Sequence, residues 1–181
     1  DGTFYNIFIV WILSYCTGWL GMPLIQTYVI TIIACIFKIP FTLFGGWCAQ
    51  KLGNTKTFVI GAASSAILSI PTLKVIEISG GNLWITIIGV VLGWSIAYNL
   101  IWACIGSLWS SYFETEVRYS GISFVYHVPS FLVAGMVPTI CTLLINYGNG
   151  DTIYVGIYST IVALISLVCA VVLKKRFEKA K

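Results

Sequence analysis

Charge is what this chain has least of. Ten Lys and Arg and six Asp and Glu make up 9% of its 181 residues, and His127 is its single histidine. A soluble domain carries roughly 25% charged residues. So few charges could not keep a globule of this size in water. Paired cysteines are lacking as well. Cys16, Cys35, Cys48, Cys104, Cys141 and Cys169 stand apart, with neither a C-x-x-C pair nor zinc spacing. They read as small polarisable packing residues. Nothing in the chain resembles a nucleophile–base pair, a phosphate loop, a coiled-coil heptad or a nucleic-acid module. No enzyme activity, metal, cofactor or nucleic-acid partner is expected.

What is present is apolar. Hydrophobic residues fill 59% of the positions and the mean hydropathy is +0.95. The solvent for most of this surface must be a lipid bilayer. A spanning helix needs about 20 apolar residues, because each adds ~1.5 Å across ~30 Å of hydrocarbon. Five runs meet that length, at 24–49, 57–73, 83–109, 121–145 and 153–173, and a sixth at 4–19 falls just short. The runs are continuous rather than alternating, which predicts helices and not a barrel. Turn residues separate them: Gly18 to Pro23, Gly80-Gly81-Asn82 and Asn146 to Asp151. The expected fold is an all-α six-helix transmembrane bundle. The chain opens at Asp1 with no Met and no signal-peptide layout, which reads as a start inside a span.

The basic residues fall on alternate loops. Lys51 and Lys56 flank one, Arg118 lies in another, and Lys174, Lys175, Arg176, Lys179 and Lys181 end the chain. The intervening loops hold only Lys74. Basic residues collect on the cytoplasmic side, so a cytoplasmic C-terminus in the cell membrane is expected. The net charge of +4 is thereby a statement of topology.

Polar groups at membrane depth mark functional sites, and two ionisable ones stand out. Lys38 lies eleven residues before Ala49, about 16 Å from that end of its span. An ammonium there costs at least ~2.5–3.5 kcal/mol, to be offset by a wet cavity, a carboxylate of another half or an anionic substrate. His127 lies about 10 Å inside its span counted from Ser120, beside Tyr126. It is a candidate cavity group, a proton carrier, or a neutral histidine bonded to a neighbouring helix. Tyr98 and Trp102, one turn apart, and Asn99 between them are candidate cavity walls or packing residues. Gly89 and Gly93 form a GxxxG patch that predicts close helix packing. Pro129 and Pro138 predict a bent fifth span.

Two loops carry a resemblance. Gly46-Trp-Cys-Ala-Gln-Lys-Leu-Gly53, followed by Lys56, resembles the G-x-x-x-D-R-x-G-R-[RK] loop after the second span of the C-terminal half of the major facilitator superfamily. Tyr112-Phe-Glu-Thr-Glu-Val-Arg-Tyr-Ser-Gly121 is similar to the L-F-P-T-R-V-R-Y-S-G approach to its fifth span, with a wording most like the metabolite:proton symporter branch. Gln50 stands where that pattern has Asp, Asn54 and Thr55 where it has paired Arg, and Glu114 and Glu116 where it has Pro and Arg. The resemblance covers essentially the whole chain. It implies half of a twelve-helix transporter, partnered by a missing N-terminal half and by the bilayer. The implied activity is alternating-access movement of a small organic metabolite with a proton. Lys38 points to an anionic one.

A membrane receptor or assembly protein that kept the fold is the alternative. By the same resemblance Gly46, Lys51, Gly53 and Arg118 form gating loops. The glycines would allow close helix approach and a tight turn, and Lys51 would reach Glu114, Glu116 or a carbonyl end. A role for Lys51 and Lys56 in topology alone is equally open.

Overall fold

A computed structural model describes residues 2–179, with side chains through 172. The C-terminal basic side chains on which the cytoplasmic assignment leaned thus lie outside the described residues. Six helical runs follow one another: α1 (residues 2–18), α2 (Leu24–Leu52), α3 (Asn54–Ile78), α4 (Leu83–Ser110), α5 (Arg118–Tyr147) and α6 (Ile153–Lys179). Five of them, α2 to α6, are long and apolar enough to cross a membrane. The first, α1, is too short, as its length in the sequence implied.

Each run follows the expected segment, and α2 to α6 run past it at one or both ends. Lys74 and Glu77 do not end α3; they sit on its last turns as an i,i+3 ion pair of 2.9 Å. Gly46 and Lys51 lie inside α2 and not in a loop, so the whole α2–α3 connection is Gly53 at φ +89°. A side chain there would be strained. At the other end of α3, the Asn82 side chain accepts from the amides of Trp84 and Ile85 and caps α4. A 3-10 turn at Ala134–Met136 interrupts α5 between Pro129 and Pro138, in the stretch where the two prolines predict a bend.

Helices in lipid gain little from apolar contact alone, so close approach and hydroxyl bonds hold them together. A Cβ on Gly89 would meet Ile76 at 2.5 Å, and one on Gly93 would meet the Phe8 ring at 2.5 Å. The GxxxG patch thus seats α4 against α3 and α1. In α2 the contact glycine is Gly45, whose Cβ would meet Ala103 at 2.7 Å. Gly46 has open space, because it is one residue further round the helix, and the expectation that it permits helix approach is corrected.

Both α1 and α4 contain a π turn, at Asn6–Trp11 and Val91–Ala97. Such a turn disturbs the helical ladder. The hydroxyls of Ser64 and Ser65 on α3 both donate to the Ala97 carbonyl, at 3.1 and 3.2 Å, and Ser95 donates to Ala34 of α2 at 2.8 Å. Buried backbone groups at a widened turn need such partners.

Candidate membrane-midplane site

Lys38 is the middle residue of the 29 in α2, fourteen positions or about 21 Å from either end. A lysine stem cannot carry its ammonium to an interface over that distance, so the charge stays at depth. There it faces α4. The Nζ lies over the rings of Trp94, Trp102 and Tyr98, at 4.2, 5.0 and 5.6 Å from their centroids. Each such contact contributes about 0.5–2 kcal/mol, so together they offset much of an insertion cost of ~2.5–3.5 kcal/mol. The aromatic rings are a means of support that the sequence reading did not weigh.

A cavity of about 390 Å³ opens beside this group. Lys38, Tyr98, Trp102 and Tyr126 line it, joined by Tyr5 and Asn6 of α1 and Ser130 of α5. Both π turns border it, since Asn6 begins one and Tyr98 follows the other. The α5 wall is set by a Tyr126 ring packed edge-on against Trp109, 5.8 Å away. Tyr98 is fully buried and stacked on Phe4 at 5.8 Å, whereas 40% of Trp102 is exposed. Behind Lys38 the Trp94 indole is buried, and its N–H has no hydrogen-bond partner among the described residues.

Two expected cavity groups stand elsewhere. Asn99 is buried away from the opening, where its amide donates to the Lys38 carbonyl at 3.1 Å and bonds the Thr42 hydroxyl at 2.9 Å. It ties α4 to α2 directly behind Lys38, because an amide between apolar helices takes whatever polar partner the facing turn offers. His127 does not line the cavity either. It is exposed, edge-on to Tyr126 at 5.3 Å, because the residue after Tyr126 turns to another face of α5. The first half of α5, Arg118–Leu132, buries no residue at all.

Trp94, Tyr5, Asn6 and Ser130 escaped the sequence reading. Trp94 had a signal: it precedes Tyr98 by four residues, as Tyr98 precedes Trp102.

The gating residues do not converge. Lys51 lies over the Trp47 ring at 4.3 Å, one helical turn back. No ion pair joins it to Glu114 or Glu116 among the described residues, and both carboxylates are exposed. Arg118 opens α5 and donates from Nε to the Phe113 carbonyl at 3.3 Å.

Over 176 residues, 94% of the chain, the sequence is 27% identical to a Staphylococcus haemolyticus protein provisionally named a proline/betaine transporter. Over 171 residues, 92% of the chain, it is 29% identical to the inner membrane metabolite transport protein YhjE of Escherichia coli. A Staphylococcus aureus protein, also provisionally named a proline/betaine transporter, is 25% identical over 168 residues. The chain spans 36%, 38% and 35% of the lengths of these relatives, little more than a third. No protein-family profile matches the chain. No solved structure matches it. The resemblance drawn from the two loops holds: this is a multi-pass membrane protein similar to transporters, and its relatives are not enzymes.

Proposed function

We propose that the chain is the C-terminal six-helix half of a twelve-helix secondary transporter of the major facilitator type. It would move a small organic metabolite together with a proton by alternating access around a midplane site. The observation that carries this reading is the cavity at the middle of α2, walled by aromatic rings and a lysine. The kinship with transporters supports it, as does the exposed first half of α5, a natural surface for a second half to cover. His127 on that surface would meet the second half rather than the cavity of this one. The α2–α3 and α4–α5 ends would face the cytoplasm. The relatives' names offer proline and betaine, which are zwitterions, as alternatives to an anionic cargo.

Uptake of labelled small carboxylates and zwitterions by vesicles holding the full-length protein tests the reading. Lys38→Gln should raise the apparent KM about tenfold or more, the loss of one charged contact, and Lys38→Arg should do less harm. Unchanged uptake in Lys38→Gln overturns the role of Lys38, and no uptake of any metabolite overturns transport itself. Orientation is tested separately with cysteine probes, in a background stripped of the six native cysteines. Positions 51 and 118 should label from the cytoplasm alone, and positions 82 and 149 from outside alone. Labelling of both pairs from one side overturns the topology.

A further inference from the structure

Three ring faces around one cation form the arrangement by which proteins recognise quaternary ammonium groups. Here the rings come from one helix, Trp94, Tyr98 and Trp102 of α4, and the cation from a helix packed against it, Lys38 of α2. The box is therefore already filled. We propose that Lys38 is a tethered occupant that closes this aromatic box to cationic and zwitterionic substrates and turns the cavity toward anionic ones. The proposal rests on the transporter reading and deepens it by fixing the class of cargo.

The physical argument has two parts. An ammonium or quaternary amine gains from the three ring faces of Trp94, Tyr98 and Trp102 together only by sitting where Lys38 Nζ sits, 4.2–5.6 Å from the centroids. A second cation in the adjoining cavity would face a like charge across a short distance in a site of low polarity, which disfavours it strongly. A carboxylate in the same cavity meets the ammonium with the opposite sign. The hydroxyl of Ser130 and the amide of Asn6 also line that space and are able to donate to its oxygens. The electron-rich faces of Trp94, Tyr98 and Trp102 serve the lysine and not the cargo.

This makes Lys38 a specificity-determining residue whose removal should reverse the preference. The probe is tetramethylammonium, small and permanently charged, titrated into the purified full-length protein by calorimetry. The native protein should show no saturable binding. Lys38→Ala should bind it at least about tenfold more tightly, and Lys38→Arg should remain closed to it. Adding Trp102→Ala to Lys38→Ala should abolish the gain, because one wall of the box is lost.

If Lys38→Ala gains no binding, or if the native protein binds tetramethylammonium as tightly as the variant, the proposal is overturned. Should Lys38→Ala fail to accumulate as folded protein, Lys38→Ser replaces it. Failure of both to fold would show that the lysine is structural, and would equally overturn the proposal. Binding is read without transport, so a native protein that moves no metabolite would sink the transporter reading while leaving this test intact.

Discussion

At the Lys74 end of the bundle three connections share ion pairs and hydrogen bonds, whereas at the Lys51 end no ion pair joins two helices among the described residues. Lys74 bonds Glu77 at 2.9 Å and Asp151 at 2.7 Å. Glu77 in turn accepts from the amide and the hydroxyl of Thr152, at 2.8 and 2.7 Å. Tyr15 of α1 donates to the Gly150 carbonyl at 3.3 Å, and Gly150 lies against the Trp19 ring. Thus the end of α1, the end of α3 and the α5–α6 turn share one network. The other end has the single-residue turn at Gly53, a lysine stacked on its own helix and exposed Glu114 and Glu116. No ion pair crosses between helices there among the described residues.

Breaking the tied end should therefore cost more than anything done to the free one. Glu77→Ala strands the Thr152 amide and hydroxyl, and an unmade bond at a partly buried donor costs about 1–3 kcal/mol. It should lower the thermal midpoint of the detergent-solubilised protein by several degrees, while Glu114→Ala and Glu116→Ala leave it unchanged. Equal effects at the two ends would erase the distinction.

A smaller effect is expected from acid. The Lys74 ammonium, and after it the Ile153 amide, hold the Asp151 carboxyl below its ordinary value of 3.8. Its folded form thus resists protonation more than its unfolded form. The contribution to stability is complete above pH ~4 and is lost as pH falls through the depressed value. Asp151→Asn should remove that part of the acid transition. An identical acid profile in the variant and the native protein would exclude Asp151 from the tie.

The smallest effect belongs to Lys51→Gln, which loses a surface cation–π contact of under about 1 kcal/mol. The melting midpoint should hardly move. A drop as large as that of Glu77→Ala would show that the free end carries a tie of its own.

Hydropathy made the spans legible, since lipid leaves an apolar helix few alternatives. Their ends were harder to read, because charged residues such as Lys74 and Glu77 stop an apolar run without stopping a helix. Of the cavity, Lys38, Tyr98, Trp102 and Tyr126 were readable from type and depth. Asn99 and His127 were not, because a residue's face depends on register, and for Asn99 the π turn that sets the register of α4 leaves no mark in composition. Trp94 was readable from its spacing, four residues before Tyr98 as Tyr98 is before Trp102.

The widened turn at Val91–Ala97 also bears on how this chain tolerates changes in length. A π turn behaves as one residue inserted into an α-helix and absorbed locally. Deleting one residue inside it would restore ordinary winding and leave Ile87 before it and Ile101 after it in their present seats. The same deletion a few residues away, in the regular part of α4, would rotate everything beyond it by about a quarter-turn. It would swing Gly61's neighbour Ile101 out of its contact. The midplane stretch of α4 is thus the one part of that helix where an ancestral gain or loss of a residue could change the pocket while sparing the bundle.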